Sequence, residues 1–81
     1  MQDDELMLLS WTQLTAILML DADNDEYAAA QQEVASQLLE RYQIEQMHML
    51  SRSFDGYTIS YLKSGEDKIT TFPLEEVEEL L

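Results

Sequence analysis

Apolar positions follow a helical spacing in the first half of this chain and an alternating one after Ser51. Leu14, Ile17 and Leu18, with Leu20 after them, recur at the spacing of one helix face. Ser10 followed three residues later by Gln13 has the form of a capping box. Together they predict a short helix from about Trp11 to Leu20. Upstream, Leu6-Met7-Leu8-Leu9 is a brief apolar run, read as a docked strand or an N-terminal helical turn. Residues 1–9 are a candidate flexible N-terminal segment.

Asp21-Ala22-Asp23-Asn24-Asp25 reads as a loop, because Asp and Asn side chains bond their own backbone and compete with helix formation. Asn24 or Asp25 is placed to cap a second helix, with Glu26 at its positive end. From Glu26 to Met49 there is no Gly or Pro, and Ala, Gln, Glu and Leu are frequent. Tyr27, Val34, Leu38 and Tyr42 form one stripe, widened by Leu39, while Gln32, Glu33, Gln37 and Glu40 form a polar face. The expectation is one long central helix, Glu26 to Met49.

Tyr57 to Leu62 and Lys68 to Phe72 alternate, with β-branched and aromatic residues. The link Lys63-Ser64-Gly65-Glu66-Asp67 contains a Gly for a positive φ, which predicts a β-hairpin. Asp55-Gly56 is a turn signal ahead of it, and Pro73 ends the second strand. Pro73 then opens a last helix, with Glu75 and Glu76 close behind and Leu74, Val77 and Leu81 along one side. A third strand through Leu74 to Leu80 is the alternative. The expected fold is α+β in a single small domain, residues 1–81: a short helix, a long central helix, a β-hairpin and a short C-terminal helix or strand.

Charge narrows the function. Seventeen Asp and Glu stand against four Lys and Arg, a formal net charge of -13 at pH 7. Gripping nucleic acid by phosphate neutralisation needs clustered cations, and anionic membranes are excluded for the same reason. The hydrophobic fraction of 46% is too high for a disordered acidic tail. A chain this short buries only about 60% of its unfolded surface, so association with copies is an expected source of stability. There is no cysteine for a disulfide or thiolate site. No apolar run approaches the ~18 residues of a membrane span. The acidic start, Met1-Gln2-Asp3-Asp4-Glu5, argues against a signal or transit peptide, and a cytoplasmic protein is expected.

Candidate chemistry is sparse. Asp21-x-Asp23-x-Asp25 resembles the start of a calcium loop, but its sixth position is Glu26 and its twelfth Gln32, where Gly and Glu are required. His48 is the sole histidine and is read as a cap or surface residue near the end of the long helix. No serine has the partners of a triad, and two glycines cannot build a phosphate loop. Neither enzyme activity nor a cofactor nor a metal is expected. Trp11, Met7, Met19, Met47 and Met49 are read as core by default, with contact residues as the alternative, for which an exposed Met47-x-Met49 would be the informative case. Arg41 is spaced to pair with Glu45 along a helix. Arg52 follows that helix, and Lys63 and Lys68 flank the hairpin tip. The expected partner contacts are Arg52 with Lys63, Ser64, Gly65, Glu66 and Asp67.

The order of elements resembles the small head–tail connector, or adaptor, proteins of tailed bacteriophages. The residues that carry it are Leu14 to Leu20, Asp25-Glu26-Tyr27, Ala35-Ser36, Glu40-x-Tyr42, Arg52-x-Phe54, Thr58-x-x-Tyr61 with Gly65 and Ile69, and Phe72-Pro73-Leu74-x-x-Val77. The resemblance implies a structural protein of the virion neck, assembled in the host cytoplasm. It implies a homo-oligomeric ring under the portal that extends the DNA channel and meets the portal protein and neighbouring neck or tail proteins. The long helix would form the ring wall and the hairpin would reach a neighbour, while DNA passes unbound. A negative lumen would repel phosphates at short range. The alternative is an acidic DNA mimic, a phage counter-defence protein whose carboxylates occupy a basic nucleic-acid-binding groove.

Overall fold

The computed structural model describes residues 3–79. Helix α1 spans Asp3–Leu20 and α2 spans Asp25–Tyr42; strands β1 (Ile44–Ser53), β2 (Gly56–Lys63) and β3 (Glu66–Phe72) follow, and α3 (Leu74–Glu78) closes the chain. The fold is α+β. The three strands form one antiparallel sheet in the order β1-β2-β3, so β2 is central and both outer strands have a free edge.

α1 begins at Asp3, eight residues before the expected start, and absorbs Leu6 to Leu9 and the described part of the 1–9 segment. Asp3, Asp4 and Glu5 occupy its first turn, where carboxylates suit the positive helix end. At the second helix the capping residue is Asn24, whose Oδ1 accepts the Tyr27 N–H at 3.2 Å.

The long central helix does not form. α2 stops at Tyr42, because Gln43 turns into the left-handed region (φ 58°, ψ 37°) and its N–H bonds back to Leu38 and Leu39 carbonyls. Ile44 to Met49 then run as the first half of β1. His48 lies on this strand, not on a helix. Glu45 is likewise a strand residue, so the helical Arg41–Glu45 spacing does not arise; the Arg41 guanidinium lies 5.5 Å from the Tyr42 ring centroid. β1 carries two register shifts against β2, between Glu45 and His48 and between Met49 and Ser51. Each adds a residue and resets the side-chain phase.

The predicted hairpin is β2–β3, with a tighter link than the five residues expected. Lys63 pairs with Glu66 across Ser64 (φ 52°) and Gly65 (φ 83°). Two positive φ angles in a two-residue loop match the twist of the strands. Glu66 and Asp67 therefore belong to β3. After Pro73 the chain is helical, which removes the third-strand alternative; Pro73 sits at the N-cap of α3. The expected contribution of Leu81 lies outside the described residues.

The helices cover one face of the sheet. Leu8, Trp11, Ala16, Leu38, Ile44, Tyr57, Ile59, Phe72 and Val77 make the core. Leu8, Leu38, Ile44, Ile59 and Val77 are almost wholly buried, each worth roughly 1.5–3 kcal/mol of transfer free energy. Trp11 is buried, and Met47 and Met49 are half-buried against the core, so these three take the core reading. Polar ties join the layers: Gln31 Nε2 donates to Thr15 Oγ1 at 2.7 Å between α2 and α1, and Gln13 Nε2 donates to the Glu76 carbonyl at 2.8 Å between α1 and α3.

Candidate interaction surface at the end of the first helix

Arg52 and Tyr57 are cross-strand partners on β1 and β2. Their side chains point to the helix side and meet Glu78 of α3. Arg52 Nε donates to the Tyr57 hydroxyl at 2.9 Å and to Glu78 Oε2 at 3.0 Å; Arg52 Nη2 reaches the same oxygen at 2.6 Å. The Tyr57 hydroxyl donates to that oxygen at 2.8 Å. The guanidinium lies 5.6 Å from the Tyr57 ring centroid. Three donors on one carboxylate oxygen favour its charged form. Arg52, then Tyr57, holds the Glu78 carboxyl below its ordinary range. Glu78 in turn raises Arg52. Burial, then the bond to Glu78, pushes the Tyr57 hydroxyl up.

This cluster borders exposed apolar side chains. An open cleft of about 560 Å³ is lined by Ala16, Met19, Leu20, Arg52, Tyr57 and Glu78. A second, of about 380 Å³, is lined by Thr15, Met19, Met49, Leu50, Ser51 and Arg52. Met19 and Arg52 form the wall between them. Met19 is 64% exposed, Leu20 78% and Leu50 56%. α1 is apolar on nearly every side, more than α2, α3 and the sheet can cover, and Met19 and Leu20 at its end are left exposed although Ile17 in the same turn is buried. Leu50, next to the core-facing Met49, is the extra residue of the bulge between Met49 and Ser51 and has no partner on β2. Phe54, 89% exposed, stands on the β1–β2 turn two residues beyond Arg52.

Of the other expected contact residues, Lys63 and Ser64 are held within the chain. Lys63 Nζ bonds Asp4 Oδ2 at 2.7 Å, joining β2 to the start of α1. That bond, first, lowers the Asp4 carboxyl and raises the Lys63 ammonium. Ser64 Oγ donates to Gln43 Oε1 at 2.7 Å. Lys68 lies 3.4 Å from Glu66. Gly65, Glu66 and Asp67 remain exposed at the tip. Arg52 thus sits far along the sheet from the tip, and the two halves of the expected contact set do not converge.

Every Lys and Arg is therefore engaged inside the molecule, three with carboxylates and Arg41 on an aromatic ring. Among the described residues, fourteen carboxylates are left without a cation. His48 lies on the open sheet face in a shallow hollow with Gln46, Ser60, Leu62 and Ile69. Among the described residues no three His, Cys, Asp or Glu are grouped to hold a metal ion, and no helix is long and apolar enough to cross a membrane. Comparison with known proteins found no matching family model and no significant match among curated proteins or solved structures.

The sequence reading singled out Arg52 and named Met19, whose default core placement is overturned by its exposure, but missed Tyr57, Glu78 and the exposed Leu20, Leu50 and Phe54. The Asp55-Gly56 turn signal implied the Arg52–Tyr57 pairing: once Phe54 and Asp55 are the loop, residues 52 and 57 oppose each other.

Proposed function

We propose that this chain is a non-catalytic assembly protein of the head–tail connector kind. In this reading copies form a ring beneath a phage portal, extend the DNA channel and present a platform to neck or tail proteins, in a virion assembled in the host cytoplasm. One observation carries it. All four Lys and Arg are engaged within the chain, while among the described residues fourteen carboxylates lack a cation and large apolar side chains face outward. Such a surface has nothing to grip phosphate, and its field opposes a passing polyanion within a Debye length of about 8 Å. Its exposed apolar groups gain from being covered by protein.

Electron microscopy of the chain mixed with a phage portal protein tests this directly. The expected image is added density coaxial with the portal, whose channel stays open to DNA. Capture instead by a DNA-binding enzyme, one chain per basic groove and released by salt, would replace this reading with the DNA-mimic one.

A further inference from the structure

We infer that the ridge of Met19, Leu20 and Leu50 is the docking site for a segment of a neighbouring protein that carries apolar side chains flanked by Lys or Arg. This rests on the assembly reading and names the chemistry of one neighbour.

The apolar half of the inference follows from exposure. Met19, Leu20 and Leu50 are each more than half exposed and line two adjoining clefts with Arg52 between them. The charged half follows from what surrounds them. The C-terminal end of α1 carries partial negative charge, and its last turn holds no basic residue to offset it. Asp21 and Asp23 follow Leu20 directly and are exposed. Glu78 also lines the first cleft, but its charge is paired with Arg52, so the unpaired acids at this end are Asp21 and Asp23. The one local cation, Arg52, is committed to Glu78 and Tyr57. An acidic partner finds no free cation here, and a second copy would set its own carboxylates against Asp21 and Asp23. A basic segment supplies the missing charge at the helix end while its apolar side chains fill the clefts.

Methionine methyl groups report the site from within. Met19 and Met49 line the clefts, whereas Met7 and Met47 pack elsewhere against the core. The test is a methyl-NMR titration of the full chain with three synthetic peptides of equal length: a Leu/Lys amphipathic helix, a Leu/Glu helix of the same pattern, and a Ser/Lys peptide. The Leu/Lys peptide is expected to move Met19 and Met49 and leave Met7 and Met47 in place. Its affinity should exceed that of the other two by about tenfold or more, fall with added salt, and drop by a similar factor in a Leu20→Ser, Leu50→Ser double variant. Both substituted side chains are exposed, so the variant keeps its core. Shifts spread over all four methyls, equal binding by the double variant or the Leu/Glu peptide, or no binding would each overturn the inference.

Salt separates this result from the ring itself. Docking of a basic segment weakens as salt rises, whereas contact between copies of charge -13 strengthens. Rings without Leu/Lys docking would sink the inference and leave the assembly reading. Docking by a chain that never joins a ring would do the reverse.

Discussion

Gln43 and Ser64 hold each other by two hydrogen bonds: the Ser64 N–H donates to the Gln43 carbonyl at 2.9 Å, and Ser64 Oγ donates to Gln43 Oε1 at 2.7 Å. Both residues are left-handed, at φ 58° and 52°. One ends α2 and the other begins the β2–β3 turn, so the clasp fixes the helix end to the hairpin tip. Non-glycine residues in this region cost on the order of 1 kcal/mol or more, and a net hydrogen bond returns about 0.5–1.5 kcal/mol. Gln43→Ala keeps the backbone cost and loses the side-chain bond, so it should destabilise by about 1 kcal/mol. Gln43→Gly loses the bond but also the cost, and should be the more stable of the two by roughly 1 kcal/mol. Urea unfolding of both variants checks the order; a Gly variant weaker than the Ala variant would refute it.

The two glycines should respond unequally to alanine. At Gly56 (φ 141°) an added Cβ would lie 2.1 Å from the Phe72 carbonyl oxygen, just beyond the Tyr57–Phe72 pair that ends the β2–β3 ladder. At Gly65 (φ 83°) it would meet nothing within 4 Å. Gly65→Ala therefore carries only backbone strain, about 1 kcal/mol. Gly56→Ala forces main chain apart and belongs with the rare large losses, on the order of 4 kcal/mol. Thermal or urea midpoints that rank them the other way would show that β3 shifts freely away from β2.

Acid should release the Glu78 latch in a defined direction. Arg52 and Tyr57 hold Glu78 below its ordinary 4.5, as Lys63 holds Asp4 below 3.8. A depressed carboxyl contributes stability above its ordinary value and loses it as pH falls through the folded value. The stability gap between the chain and its Glu78→Gln variant should be constant above about pH 4.5 and shrink below it. The Tyr57 hydroxyl is shifted up, so its neutral form is the favoured one, and its contribution is kept below its ordinary 10.0 and lost above. Tyr57→Phe should lack that alkaline loss. A gap that widens in acid would mean that Glu78 is not the group held charged.

Added salt should stabilise the fold. Its ion pairs are surface pairs, worth about 0–1 kcal/mol each. Against them stands repulsion among fourteen uncompensated carboxylates on a body 31 × 29 × 21 Å across. The Debye length falls from about 30 Å at 0.01 M to about 8 Å at 0.15 M, that is, from the width of the molecule to the distance between near neighbours. The melting temperature should rise over this range, by about 4–8 °C for each kcal/mol of repulsion screened. A fall would mean that the three ion pairs outweigh the rest.

The second half of the fold was legible because its signals are local. Gly65 marks a positive φ, Tyr57 to Leu62 alternate, and Pro73 separates β3 from α3. The junction after Tyr42 was not legible, for two physical reasons. The helix stops at a glutamine holding the conformation that Gly commonly signals. The helix-facing residues of β1, Ile44, Met47, Met49 and Arg52, are spaced by three, two and three because bulges break the alternation. That spacing imitates a helical stripe and hides the strand. The start of α1 was hidden by continuous apolarity, since Leu6 to Leu9 have no period. Within the candidate surface, Arg52 could be singled out as one of only four cations, but Glu78 is 26 residues away and reaches it only because α3 folds back.

Native mass spectrometry of the chain, alone and with a phage portal protein, across a range of salt, bears most directly on the proposal that this is a DNA-excluding assembly unit. The expected result is a closed multi-copy ring, or a fixed number of copies on each portal, favoured as salt rises and carrying no added DNA. A chain that remains a monomer at every salt concentration, ignores the portal and retains DNA would contradict it.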